Sequence, residues 1–329
     1  MNSAILLVDG ASASRDSWKL SLQSNNYKVF TAEDRESALR QCLQLQPDLV
    51  LLHDTLPDVD GFGLCRRMKG NPLNRRTPIV FIKPPSDPAD VARGCEAGGA
   101  DFWVSCSSLA DALSRVQSLL RLKTYFDEQA KSVVLWLARR VEAKHPLMSG
   151  HSERMSNYAV QLGRSLDLPE EDLQELRIAC LLHDVGKVAV PDEILLKPGP
   201  LNAEETEIVR QHPVTGELIC APLKSLRRIL PLIRHHHERM DGSGYPDGLR
   251  GYEIPLMAQI LQIADIYDAL ITDRPYRDAL SSEDALETLS REAGYGWLDD
   301  SLVWKFSQIC RYGEYFPVRG RSMLASYYA

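Results

Sequence analysis

The sequence predicts an α/β domain built on a five-stranded parallel sheet, followed by an all-α domain. Three observations carry this. Short apolar runs alternate with helix-spaced segments up to about residue 106, one long helical pattern covers 109–141, and every later periodic segment has helical spacing.

The apolar runs fall at 4–8, 27–31, 48–52, 78–82 and 102–104. Between them, segments such as 14–24 and 34–45 place apolar residues three and four apart. Strands separated by helices join in parallel, because each crossover must return along a face of the sheet, and the result is a doubly wound sheet. In such sheets functional residues gather at the carboxyl ends of the strands. In the long pattern, Leu109, Leu113, Val116 and Leu120 form one seam and Ala130, Val134, Leu137 and Val141 another, interrupted by Lys123 and Asp127. This fits either a connecting helix paired with its copy in a dimer or a helix packed on its own domain. Beyond Gly150, His151, Met155, Tyr158 and Leu162 share one helical face, and Leu173, Leu176, Cys180 and His183 share the next. Pro and Gly clusters at 198–200 and 242–251 mark loops.

Length and charge limit the function. A chain of 329 residues suits two domains, and a composition 44% hydrophobic and 25% charged is that of a globular protein. A net charge of -7 and a pI near 5.7 argue against a nucleic-acid polymer or an anionic membrane as partner. A local cluster of cations still suits a small phosphorylated ligand. The seven cysteines are scattered and none has CxxC spacing, as expected of free thiols in a reducing compartment. The N-terminus lacks the pattern of a signal peptide, and no apolar run approaches the ~20 residues of a membrane span, so a cytoplasmic protein is expected.

The chemistry concentrates in the second half, which holds six of the eight histidines. His183-Asp184-Val185-Gly186-Lys187 is the sharpest local signal. A helix ending in His-Asp can aim an imidazole and a carboxylate at one place, with Gly186 allowing the chain to turn and Lys187 adding a cation. The dipeptide alone is common. Its company is not: His151, His212, the run His235-His236-His237, and Asp265 inside an apolar helix, where a carboxylate is costly unless paired or bound to metal. His145 and His235 read more simply as hydrogen-bonded histidines.

These residues lie in longer matching text: HDVGK at 183–187, KPGPL at 197–201, HP at 212–213, HHERMDGSGYPDGLRGYEIP at 236–255 and IADIYDALITDRPYR at 263–277. The second half thereby resembles the HD-GYP family of metallohydrolases. The resemblance implies a metal centre of His151, His183, Asp184, His212, His236, His237 and Asp265, with Asp184 shared by two ions. It implies phosphate contacts from Lys187, Arg274 and Arg277, and places Tyr245 on a loop closing the pocket. The implied reaction is hydrolysis of cyclic di-GMP to a linear dinucleotide or GMP, with Asp184 and Lys187 as catalytic residues. Five imidazoles and two carboxylates suit two divalent transition-metal ions, iron or manganese before zinc, rather than calcium or magnesium. Relatives with a third ion carry a glutamate where this chain has Leu147, so two ions are expected, and His145 stands where relatives often have Asp.

The first half carries ILLVDG at 5–10, PDLVLLHDTLPDVDGF at 47–62, TPIVFIK at 77–83 and GGADFWVS at 98–105. It resembles the receiver domain of response regulators, a flavodoxin-like fold. Asp9 remains of the acidic pair, but Gly10 replaces its partner, His53 stands at the phosphoacceptor position, Lys83 at the hydroxyl position and Cys106 at the lysine position. No aspartyl phosphorylation is expected; a slipped alignment would make Asp54 the acceptor instead. The expected organisation is a receiver-like domain over 1–120, a connecting helix over 121–145 and the hydrolase domain over 146–329. Expected partners are cyclic di-GMP, a second copy of the chain through the first domain and connecting helix, and a signalling protein. The rival readings are a sensor that binds cyclic di-GMP without cleaving it, and a phosphohydrolase for another nucleotide.

Overall fold

Two-residue alternation builds the first unit. The computed structural model describes residues 3–53, 56, 60–82, 88–102, 109–144, 150–273 and 278–312. Strands β1 (Ala4–Val8), β2 (Lys28–Ala32), β3 (Leu49–Leu52), β4 (Ile79–Phe81) and β5 (Asp101–Phe102) form one parallel sheet in the order β2-β1-β3-β4-β5. Helices α1 (Ser12–Gln23), α2 (Arg35–Leu45), α3 (Gly61–Gly70) and α4 (Pro88–Glu96) make the crossovers. Successive side chains point to opposite faces. Leu6, Val8, Val50, Leu52, Ile79 and Phe81 therefore enter one core cluster with residues of α2 and α3. Ile5, Leu7, Leu49, Leu51 and Val80 enter the other with Leu22, Ala112, Val116 and Leu120. A sheet buried on both faces needs continuous apolar runs, which is why the central strands β1, β3 and β4 were legible.

The five expected strands are all present, displaced by a residue or so at their ends; positions 103–104 of the last run lie outside the described residues. Helix α5 (Leu109–Ala143) is continuous. Its seam residues Val116 and Leu120 face the sheet, while Leu122, Tyr125, Phe126, Val133 and Trp136 are exposed.

The order β2-β1-β3 places the topological switch at the carboxyl ends of β1 and β3, where Asp9 and His53 follow their strands. Asp9 is buried, and its Oδ1 accepts the Ala11 N–H at 2.9 Å. The His53 N–H donates to Val8 at 2.8 Å, continuing the ladder. Asp54, Lys83 and Cys106 lie outside the described residues. Cys42, Cys65, Cys95, Cys180, Cys220 and Cys310 are free thiols.

The second unit is helical throughout its described residues: α6 (His151–Ser165), α7 (Glu170–Leu182), α8 (Asp192–Leu195), α9 (Ala203–Arg210), α10 (His212–Cys220), α11 (Leu230–His235), α12 (Leu256–Ile271), α13 (Ser282–Gly294) and α14 (Asp300–Tyr312), with short 3-10 turns between some of them. Helix α6 packs against both α7 and α12. Helix α12 is apolar along nearly its whole length, with Ala258, Ile260, Leu261, Ile263 and Ala264 buried, as befits a central helix. Among the described residues no helix is long and apolar enough to cross a membrane.

Candidate metal centre

Helix termini bring the imidazoles together. His151 opens α6, His183 closes α7, His212 opens α10, and His236 and His237 follow α11. Gly186 makes this possible, though not as a turn residue: its φ is not positive, and the constraint is space. A Cβ there would lie 2.0 Å from the His212 carbonyl oxygen and 2.5 Å from the Gly216 nitrogen. Only glycine lets the 3-10 turn after Asp184 (Val185–Ala189) press on the backbone of α10, so the HD dipeptide reaches His212.

Asp184 stands at the middle of the group. Its Oδ2 lies 3.3 Å from His183 Nε2 and its Oδ1 lies 3.3 Å from His212 Nε2. Lys187 donates to Oδ2 at 2.6 Å. Donor atoms within 4.8 Å of one another form three sets: His151, His183 and Asp265; His212, His236 and His237; and His183, Asp184 and His236. All seven residues named from the sequence are therefore gathered. His235 belongs to none of these sets and instead meets Asp247 at 2.9 Å.

The tautomers decide what the centre can bind. Nδ1 of His183, His212 and His236 faces the carbonyl oxygen three residues earlier, that of Cys180, Val209 and Ile233, at 2.7–2.8 Å. Each Nδ1 therefore carries the hydrogen, and each Nε2 turns a lone pair inward. His212 Nε2 and His236 Nε2 are 3.2 Å apart, with no hydrogen between them in the neutral forms. Burial pushes His212 down to about 4 despite Asp184, and burial and the neighbouring imidazoles hold His236 well below its ordinary value. His237 falls to about 3 through burial and His212. Protons do not relieve the lone pairs of His212, His236 and His237 near neutrality, whereas Asp184 raises His183 against its burial; a cation would serve all four. Asp184 Oδ1 is buried without a hydrogen-bond partner, and His151 Nε2 meets only Asp265 Oδ1, at 3.2 Å. Five imidazoles and two carboxylates with orphaned inward atoms fit divalent transition metals.

The other end of the group is acidic. Burial opposes charge on His151, but Asp265 and Asp268 on its two sides raise it to about 10. Asp265, despite burial, stays well below the usual carboxylate range because of His151 and His183. A cation held by His151 and Asp265 would take the place of the His151 proton.

Several supporting residues were missed by sequence reasoning. Asp268 is fully buried; it accepts from His151 Nδ1 at 2.7 Å and from the Arg154 fork at 2.8 and 2.9 Å. The signal was present, since Asp268 is three residues beyond Asp265 and Arg154 three beyond His151, one helical turn in each case. Glu238 is also fully buried, and its carboxylate accepts the N–H groups of Asp247, Gly248 and Leu249 at 2.7, 3.1 and 3.0 Å. It thereby folds the 242–251 loop back onto the segment that carries His236 and His237. Gly244 is needed for the same contact: a Cβ would lie 2.4 Å from the Arg239 nitrogen. Tyr245 then stacks on His237, centroids 4.8 Å apart and 25° from parallel. Arg274, Arg277 and Leu147 lie outside the described residues.

Imidazoles and the Asp184 carboxylate converging from the ends of helices, with Asp265 inside α12, define a helical domain of the HD type. The chain belongs to the HD domain family, whose model matches residues 136–302, and the response regulator receiver domain matches residues 5–117. The family implies divalent-metal binding. The chain is 37% identical over 290 residues to the cyclic di-GMP phosphodiesterase response regulator RpfG of Xanthomonas campestris pv. campestris, covering 81% of this chain and 77% of that protein. It is 31% identical over 298 residues to a probable cyclic di-GMP phosphodiesterase of Vibrio cholerae, covering 79% of this chain and 67% of the relative. It is also 41% identical over 187 residues to the 3'3'-cGAMP-specific phosphodiesterase 3 of Vibrio cholerae, covering 56% of this chain and 41% of that protein.

Proposed function

We propose that the chain is a cytoplasmic, metal-dependent phosphodiesterase that hydrolyses cyclic di-GMP to the linear dinucleotide or to GMP. It would comprise a receiver-like domain over 1–120, a connecting helix over 121–145 and the hydrolase domain over 146–329. The observation that carries this reading is Asp184, whose two oxygens face imidazoles of two different donor sets.

His151, His183 and Asp265 would hold one ion, His212, His236 and His237 the other, and Asp184 would share its oxygens between them. Iron or manganese suits this donor set best and zinc next. A bound divalent pair supplies an acidified water and neutralises charge on the phosphodiester. Asp268 orients His151 and fixes its tautomer through Nδ1. Lys187, now paired with Asp184, is positioned to donate to a non-bridging phosphate oxygen. Tyr245 closes the side of the site over His237. Arg274 and Arg277 are assigned to phosphate from their motif. No protein nucleophile is required.

The 3'3'-cGAMP-specific relative favours a second reading, in which another cyclic dinucleotide is the preferred substrate. The exposed apolar side chains of α5, Leu122, Tyr125, Phe126, Val133 and Trp136, support a homodimer through this helix and the receiver-like domain, which also suits a signalling partner.

The test is incubation of the purified protein with manganese or ferrous iron and cyclic di-GMP, with products separated over time. Linear dinucleotide or GMP should accumulate, and Asp184→Ala should abolish it. Tight binding without product would mark a sensor, and turnover of 3'3'-cGAMP alone would mark the second reading.

A further inference from the structure

A cavity of about 240 Å³ opens beside the metal centre, and its lining joins His237 and Asp265 to Arg239, Tyr245, Glu292 and Trp297. The Arg239 guanidinium lies over the Trp297 ring, 4.0 Å from its centroid. The backbone fixes that pair: the Met240 N–H donates to the Trp297 oxygen at 3.0 Å, and the Trp297 N–H to the Glu292 oxygen at 3.1 Å. Among the described residues, neither the Arg239 guanidinium nor the Glu292 carboxylate makes a hydrogen bond, although both line the same cavity. The guanidinium is stacked on the indole and its charge acts on the half-buried Glu292 carboxylate, while the hydrogen-bonding edges of both groups are unused; such a pair suits a ligand with matching edges.

A phosphodiester does not supply that match, because an anion would meet Glu292. A nucleobase does. Bases stack on aromatic rings and guanidinium planes. Guanine offers O6 and N7 to an arginine fork, and its N1–H and N2–H groups suit a carboxylate. Adenine has a lone pair at N1 and would leave Glu292 facing it without a donor. Resting on the reading that the substrate is a cyclic dinucleotide, we propose that this corner is a guanine-reading subsite. Glu292 accepts from N1 and N2 of the base and Arg239 donates to O6 and N7.

The full-length protein as purified is titrated calorimetrically with GMP, IMP and AMP. The three share one phosphate and sugar, so the differences between them report the base alone. GMP should bind tightest, with IMP, which lacks the N2 amine, and AMP each weaker by about tenfold or more, as expected when a site's polar groups lose their partners. Glu292→Gln should bring GMP to the IMP level, and Arg239→Lys should weaken GMP and IMP together. In turnover, Glu292→Gln should reduce the preference for cyclic di-GMP over cyclic di-AMP by a similar factor, mainly through KM. Equal or absent binding of GMP and AMP, or a GMP-to-IMP ratio that Glu292→Gln leaves unchanged, overturns the subsite. Base discrimination without hydrolysis of any cyclic dinucleotide would sink the phosphodiesterase reading and leave the subsite standing; hydrolysis without discrimination would do the reverse.

Discussion

The residues that would touch metal were legible one by one; those that aim them were not. Imidazoles and carboxylates are costly to bury unpaired, so six histidines and an aspartate in an apolar helix announce a centre. Asp268 and Glu238 carry the same cost, but nothing in a linear pattern says whether a carboxylate faces a ring nitrogen or a backbone N–H. That depends on partners 117 and 9 to 11 residues away. Gly186 was likewise noticed for the wrong reason, because a close approach between two backbones leaves no mark on the chain except the missing Cβ. Asp268→Asn keeps the shape but removes the charge that His151 and Arg154 share. It should lower divalent-metal affinity by about 10- to 100-fold, read by competition with a fluorescent chelator; unchanged affinity would remove Asp268 from the centre's support.

At the level of elements, strands were easier to read than loops. Short apolar runs marked every strand of the sheet to within a residue or so, the central β1, β3 and β4 buried on both faces and the edge strands β2 and β5 only in part, whereas the seam on α5 could not say which neighbour it met. In the structure Leu113, Val116 and Leu120 of the seam pack on the sheet and Val141 is buried, while the exposed apolar residues of the helix, such as Tyr125 and Trp136, lie off the seam. The 242–251 loop is held from two sides. Glu238 takes three of its N–H groups, and Asp247 takes the Arg234 fork at 2.6 and 2.8 Å and His235 at 2.9 Å, while Arg234 also reaches Glu217 at 2.6 Å. The Arg234 hydrogen bonds, outweighing burial and aided by His235, pull Asp247 down to about 2. A carboxylate whose folded pKa is depressed adds stability above its unfolded value of about 4 and loses it as pH falls towards the folded one. The difference in Tm between the wild type and Asp247→Asn should hold from pH 7 to pH 5 and close between pH 4 and pH 2. A gap that persists at the acid end would show that the loop is held by other contacts.

For the whole molecule, the receiver-like half and the HD half were distinguishable from composition and motif, but the state of the receiver's chemistry rests on single positions. Asp9 and His53 follow the strands at the switch point, where a phosphoacceptor and its magnesium would be needed. An imidazole at the acceptor position cannot form an acyl phosphate. Acetyl phosphate with magnesium should therefore give no slower-migrating species on phosphate-affinity gels and no change in phosphodiesterase rate; a shift lost in Asp54→Ala would reverse that reading. The crowded lone pairs of His212 and His236 carry a consequence for anyone handling the protein. Such a nest of nitrogen atoms gains from almost any first-row ion, and affinity alone ranks those ions in an order common to most nitrogen-rich sites. An ion recovered after expression would thus record the growth medium and exposure to air, and catalytic competence would have to be established by exchanging it.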